Sequence, residues 1–166
     1  DIIKEQNSCT DSGLVIMMNY IVLDLEWNQS AKGKKYTLPG MPFEIIQMGA
    51  VKLDNKFDVI DEFDRLVCPQ VYPVLHSVCG EVTGITQEML ADGEHFVDTA
   101  LDFLEWCGQD YIFCTWGSTD LVELQRNLNH YAIEAEFPMP FLFYDVQKLY
   151  SLCFSVSYTH LTLPTN

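Results

Sequence analysis

The sequence predicts an α/β fold: a mixed five-stranded sheet in which a three-strand antiparallel meander joins parallel strands through crossovers, with helices flanking the sheet. Three observations carry this prediction. Three strand-like stretches follow one another early in the chain with no helical period between them. Beyond residue 86 the pattern becomes helix, strand, helix, strand, helix. The 166 residues are 48% hydrophobic and 20% charged, which suits one compact domain with a real core rather than two.

Residues 1–17 are polar and aperiodic up to Leu14 and read as a non-native or disordered N-terminal extension, with the domain starting near Met18. Residues 20–25 (YIVLDL) form a β-branched run of strand length, interrupted by one charge at Asp24. The stretch 28–42 holds the Gly, Pro and Ser of a loop and the only basic cluster, Lys32, Lys34 and Lys35. Phe43–Leu53 and Phe57–Val67 read as strands around Asp54-Asn55-Lys56, a sequence suited to a tight hairpin turn. A segment punctuated by Pro69 and Pro73 leads into Val82–Thr86, and Thr86 before Gln87 and Glu88 resembles a helix start. Phe96, Ala100, Leu101 and Leu104, three and four apart, mark an amphipathic helix ending near Gly108. Tyr111–Trp116 (YIFCTW) is an apolar strand, after which Gly117-Ser118-Thr119 supplies a turn and an N-cap for a helix carrying Leu121, Leu124 and Leu128. Pro138 and Pro140 close that unit, Phe141–Tyr144 reads as a short strand, and Val146–Leu152 starts a helix.

The charge balance narrows the function. Twenty-four acids against nine bases give −15, the reverse of the basic stripe that coats duplexes through phosphate neutralisation. Acidity is compatible with enzymes acting on polyanions, because divalent cations held by a few carboxylates invert the local charge. No window reaches the roughly 18 apolar residues of a membrane helix, and the start lacks a secretory signal pattern. The expectation is a soluble cytoplasmic protein without a membrane partner. Six cysteines contain no CxxC pair, and most of them are expected to be reduced core thiols.

Asp24 and Glu26 stand two positions apart on a predicted strand, so their side chains leave the same face while Leu25 leaves the other. Two carboxylates at the end of an apolar strand are costly unless paired or bound to metal, and hard divalent cations with oxygen ligands relieve that cost. A solvent-facing strand end is the alternative. Asp120, in the first turn of the helix after YIFCTW, adds a third acid where the helix dipole favours an anion; dipole complementarity alone would also place it there.

VLDLEWN (22–28), EIIQMGAVKL (44–53), LVCPQVYPVLHSVCGEVTGIT (66–86) and FCTWGSTDLVELQRNL (113–128), in this order and spacing, resemble the DnaQ-like branch of the DEDD superfamily of 3′→5′ exonucleases. The likeness covers roughly residues 18–152 and implies a ribonuclease H-like fold. Asp24 and Glu26 match the family's DxE motif and Asp120 its second acid. The resemblance implies two Mg²⁺ or Mn²⁺ ions on Asp24, Glu26 and Asp120, in-line hydrolysis at a single-stranded RNA or DNA 3′ end, and release of nucleoside 5′-monophosphates. It also implies a last motif, His-x4-Asp or Tyr-x3-Asp, beyond Tyr144-Asp145, which the chain lacks. After Phe154 it reads SVSYTHLTLPTN, similar to a translated sequencing adapter. The expected organisation is an exonuclease domain over 18–154 lacking its last helix and an artefactual tail over 155–166. His130 and His160 are the first histidines to consider should the chain carry its own base.

Four further features have two readings each. Trp27 can stack on a terminal base or fill the core. Glu44 can support the acids from an adjacent strand or lie at the surface of a strand start. Thr83, Gly84, Ile85 and Thr86 match a family loop near the substrate 3′ end and also read as a turn with a helix cap. The lysine loop is a phosphate guide or a solvated turn. The alternative to an enzyme is a non-catalytic nucleic-acid or protein-interaction module on the same fold.

Overall fold

The computed structural model describes residues 18–135, 137 and 142–154. Its five strands are β1 (Asn19–Asn28), β2 (Glu44–Leu53), β3 (Val59–Leu66), β4 (Tyr111–Thr115) and β5 (Phe143–Asp145), ordered β3-β2-β1-β4-β5. β1 and β2 pair antiparallel, as do β2 and β3, while β4 runs parallel to β1 and β5 parallel to β4. This is the mixed sheet that the meander and crossovers of the sequence imply. The helices are α1 (Ser77–Thr83), α2 (Gln87–Ala91), α3 (Phe96–Cys107), α4 (Thr119–His130) and α5 (Val146–Phe154).

The main core lies on one face of the sheet. Ile21, Leu23 and Leu25 alternate inward from β1 and meet Phe96, Ala100 and Phe103 of α3 and Leu124 and Leu128 of α4. Burying such side chains contributes about 1.5–3 kcal/mol each, so this face anchors the domain. The same alternation sends Val22, Asp24 and Glu26 to the opposite face. Three of the five buried residues of α4 are polar: Asp120, Glu123 and Asn127 are buried beside Leu124 and Leu128. Asn127 resolves its own burial by accepting from the Ile45 N–H (3.1 Å) and donating to the Phe43 carbonyl (3.1 Å), which fixes α4 against the start of β2.

Several boundaries differ from the expected ones. β1 runs three residues past Leu25, through a bulge between Glu26 and Trp27. The β2–β3 connection is longer than a tight hairpin: the Asp54 carboxylate accepts from the Lys56 and Asp58 N–H groups, and Phe57 sits at φ 65°. α1 occupies residues expected to be loop. His76 caps it, accepting from the Val78 N–H at 3.3 Å, and Gly84 ends it at φ 75° with its N–H bonded to the Gly80 carbonyl. Within Gly117-Ser118-Thr119 it is Ser118 that occupies the N-cap of α4, as that turn sequence leads one to expect. The thiols also need correcting: Cys107 and Cys114 are buried, Cys68 and Cys79 are half-buried and Cys153 is exposed, all unbridged. Residues 1–17, Cys9, Pro138, Pro140, Phe141, His160 and the segment 155–166 lie outside the described residues.

Candidate active site

The pairing of β4 with β1 ends at Val22 and Cys114, so beyond Val22 the β1 edge facing β4 is unpaired. α4 starts directly after β4 and places Asp120 in that notch. Asp120 Oδ1 accepts from the Leu25 N–H at 3.2 Å, between Asp24 and Glu26 in sequence. A backbone N–H lies in the plane of its sheet, so Asp120 approaches along that plane, while Asp24 and Glu26 stand off the face opposite the core. The notch is a crevice at the carboxyl ends of two adjacent parallel strands, where open α/β sheets bind ligands.

The electrostatics show how close the three carboxylates are. Burial raises the Asp24 carboxyl above its ordinary value of 3.8. Burial raises Glu26, and the charges of Asp24 and Asp120 raise it further. Asp120 is raised by burial and by Asp24, against the lowering effect of the Leu25 N–H. Among the described residues no ammonium or guanidinium group forms an ion pair with any of the three. Three mutually repelling oxygen-donor groups fit a hard divalent cation in chemistry. No three His, Cys, Asp or Glu side chains among the described residues form a ready-made cage, however. The arrangement suits an ion held by one or two carboxylates, with water and substrate phosphate completing the coordination, as Mg²⁺ prefers. Beside the acids, Asp24, Glu26 and Gln47 line a shallow groove of about 340 Å³. Gly49, opposite Asp24 in the ladder, adds no side chain to it.

Glu44 is not a surface acid. It is buried, and its carboxylate accepts from the backbone N–H groups of Gln70 (2.6 Å), Val71 (2.9 Å) and Tyr72 (2.6 Å) and from the Tyr131 hydroxyl (3.2 Å). Burial and this carboxylate push the Tyr131 phenol up, so Tyr131 stays the donor. Asn28 does parallel work: Nδ2 donates to the Tyr72 and Val74 carbonyls (2.8 and 3.0 Å), and Oδ1 accepts from the His76 N–H (2.9 Å). Together they tie residues 70–76, and through His76 the start of α1, to the end of β1. Burial raises the Cys79 thiol of α1 above its ordinary value, and the charge of Glu26 raises it further, against the lowering effect of the Gln29 backbone.

The remaining predicted residues divide. Trp27 packs against Phe43, ring centroids 5.8 Å apart, and joins the main core. Thr83 Oγ1 donates to the Cys79 carbonyl and accepts from the Ile85 N–H; Ile85 is buried with Ile46 and Leu90; Thr86 caps α2 through the Met89 N–H. The 83–86 loop is thus a turn with caps, held at the end of α1. Asn28, Tyr72 and Asn127 were invisible to sequence reasoning, because a polar residue that satisfies backbone groups far along the chain leaves no local periodicity.

The chain belongs to the exonuclease family, whose RNase T model matches residues 21–155, within the DnaQ-like superfamily of 3′→5′ exonucleases. It is 29% identical over 125 residues to the probable 3′-5′ exonuclease KapD of Bacillus subtilis (strain 168), covering 73% of this chain and 56% of that protein. It is 36% identical over 90 residues to ERI1 exoribonuclease 2 of Mus musculus, covering 52% of this chain and 12% of that protein. The chain therefore spans little more than half, at most, of the length of these curated relatives. Among solved structures it resembles the nuclease domain of 3′hExo, a DEDDh family member bound to rAMP, with TM-score 0.68 and 21% identity over 86% of this chain and 74% of that one. It resembles cell-death related nuclease 4 equally, with TM-score 0.68 and 20% identity over 90% of this chain and 52% of that one. These likenesses establish the ribonuclease H-like fold. Among the described residues no helix is long and apolar enough to cross a membrane.

Proposed function

We propose that this domain is a metal-dependent 3′→5′ exonuclease that releases nucleoside 5′-monophosphates from single-stranded RNA or DNA ends, with residues 18–154 forming the exonuclease domain. The observation that carries the reading is the hydrogen bond of Asp120 to Leu25, which brings the third acid to the DxE pair. Asp24, Glu26 and Asp120 are the groups that would hold two Mg²⁺ or Mn²⁺ ions. Bound there, the ions supply charge neutralisation at the scissile phosphate and a more acidic attacking water. Hydrolysis at a 3′ terminus forms a bond from water oxygen to the terminal nucleotide's 5′ phosphorus and breaks the bond to the penultimate 3′ oxygen, which leaves with a proton. The chain's contribution is positional. The Leu25 N–H fixes one Asp120 oxygen, and Asn28 and Glu44 hold residues 70–76, and through His76 the start of α1, at the end of β1 and the start of β2. In this reading Trp27 and residues Thr83–Thr86 border the terminal nucleotide.

The second reading, a non-catalytic module, draws on the histidines. His76 caps α1, His95 is the N-cap of α3, and His130 stands edge-on to Tyr131 at the end of α4. The side chains of His76 and His130 thus have structural contacts, while His95 occupies its cap position without a side-chain capping bond. Product analysis separates the readings. With Mg²⁺ or Mn²⁺ and a 5′-labelled oligonucleotide, a form of the domain that carries the His-x4-Asp or Tyr-x3-Asp motif should release mononucleotides stepwise, and the chain without that motif at most slowly; Asp24→Asn should slow the release by on the order of 10²–10³-fold or more. Internal fragments, or full activity in EDTA, would overturn the assignment; metal-independent binding without hydrolysis would favour the module.

A further inference from the structure

We propose that the groove between residues 30–39 and 71–74 holds the nucleotides upstream of the 3′ end, with strand phosphates at Lys32 and Lys35 and a base stacked on Tyr36. The inference rests on the exonuclease reading for its polarity only. The groove has a volume of about 700 Å³, and Lys32, Lys35, Tyr36, Leu38, Pro73 and Val74 are among its walls. It begins where β1 ends: Ser30 lies four residues beyond Glu26, a span of at most about 14 Å. We place in this groove the continuation of a strand whose terminal nucleotide sits at the acids.

Charge complementarity identifies the occupant. Lys32, Lys34 and Lys35 are three of only nine basic residues in a chain of net charge −15. Of the others, Arg126 pairs with Glu123, Lys148 with Asp145, and Lys52 binds the Trp106 carbonyl and ring, so these three are occupied on the domain itself. Among the described residues no carboxylate lies within ion-pair distance of the three clustered lysines. Unpaired ammonium groups next to an exposed aromatic ring, with Tyr36 59% accessible, form the pairing that binds single strands, phosphate to cation and base to ring. A duplex is disfavoured, because its second line of phosphates would face the acidic remainder of the surface.

The walls are held in place before any ligand arrives. The Tyr72 hydroxyl accepts from the Leu38 N–H at 2.8 Å and donates to the Met41 carbonyl at 2.7 Å, pinning the far wall. Asn28 pins the near wall through the Tyr72 and Val74 carbonyls. The lysine loop folds on itself through Gly33 N–H to the Ser30 carbonyl and Tyr36 N–H to the Gly33 carbonyl, both 3.0 Å, with Gly33 at φ 89°. A preformed groove loses little conformational freedom on binding. It offers ring faces and cations with few groups to read base edges, so it should tolerate any sequence.

The test measures binding of labelled oligouridylate and oligothymidylate, each of about twelve nucleotides, by anisotropy across a salt series with Ca²⁺ present, alongside nucleotide release by the unaltered protein. The double variant Lys32→Ala/Lys35→Ala should weaken binding about tenfold or more and flatten the log–log salt slope by roughly 1.4, about 0.7 for each phosphate left without its cation. Tyr36→Ala should weaken it about tenfold with the salt slope unchanged, and Tyr36→Trp should restore it. Lys32→Arg/Lys35→Arg should keep both affinity and slope, which separates missing charge from a damaged loop. Equal losses on both oligomers support a phosphate-and-ring groove blind to the sugar; a loss on one alone supports the groove and assigns its sugar. Unchanged affinity and slope in the double variant overturns the groove, whether or not the protein releases nucleotides. Lysine-dependent binding without nucleotide release by a form that carries the last motif keeps the groove and overturns the exonuclease reading instead.

Discussion

Glu44 shows how much depends on one buried carboxylate. Its two oxygens meet three consecutive N–H groups, of Gln70, Val71 and Tyr72, and the Tyr131 hydroxyl, so one side chain joins β2, the proline-flanked segment and the end of α4. Removing the acceptor leaves buried donors unsatisfied, at about 1–3 kcal/mol each where water cannot reach them. Glu44→Ala should therefore destabilise the domain by about 3 kcal/mol, and Glu44→Gln by a substantial part of that, because its amide NH₂ turns a donor toward donors. Urea denaturation measures both; a loss below about 0.5 kcal/mol for the alanine variant would show that water replaces the carboxylate. The sequence shows an acid at a strand start and nothing more. Its partners are 26 to 87 positions away, so no local pattern could distinguish a buried clamp from a solvated end. Asp24 and Glu26 were legible because their relation is local, two positions on one strand. Asp120 was legible as a helix-start acid, but its bond to Leu25 spans 95 positions and required the fold.

Among the elements, those with strong periods appear where the sequence places them. α3 buries Phe96, Thr99, Ala100, Phe103 and Cys107, a helical stripe that any sliding window finds. α1 escaped notice because SVCGEVT has no buried residue and contains two valines, a threonine and a glycine, all poor helix formers. It is held from outside, by the His76 cap and by Asn28. Its Gly80 sits tightly, since a Cβ there would lie 3.2 Å from the Ile85 carbonyl oxygen and 3.2 Å from Leu75 Cδ2. Gly93 is a sharper case. Its Cβ would lie 2.9 Å from the Cys68 nitrogen and 3.0 Å from the Leu66 oxygen, both backbone atoms just beyond or at the end of β3. The same residues bond across this close approach, Glu94 N–H to the Leu66 carbonyl and Cys68 N–H to the Glu94 carbonyl. Gly93→Ala must push the α2–α3 connection off the end of β3, at a cost of about 2 kcal/mol or more. Chemical denaturation reads the cost. A neutral alanine would mean that this connection slides freely, which the two hydrogen bonds argue against.

At the scale of the whole molecule the three acids link stability to pH, and a metal bound to them, as proposed above, would reverse the sign of that link. Asp24, Glu26 and Asp120 hold their protons more tightly in the fold than the ordinary values of 3.8 and 4.5, chiefly because they are buried. A carboxyl raised in the folded state favours folding when protonated, so that contribution fades as pH climbs from the ordinary value through the raised one. In EDTA the thermal midpoint should fall with pH in this window, and it should fall less in Asp24→Asn, which removes one titrating group and one source of the charge that raises Glu26 and Asp120. Metal reverses the trend. Binding requires deprotonated ligands, so stabilisation by Mn²⁺ should grow as pH rises, reaching about 2.7 kcal/mol once the ion exceeds its dissociation constant a hundredfold. The EDTA and Mn²⁺ curves should therefore diverge as pH climbs from the ordinary carboxyl values through the raised ones for the unaltered protein and run close together for Asp24→Asn. Other carboxylates among the 24 acids also titrate here, but they are common to both proteins, so the difference between the two pairs of curves isolates the site. Equal Mn²⁺ shifts in the two proteins would place the metal elsewhere; parallel EDTA curves would mean that Asp24 titrates as it does in the unfolded chain.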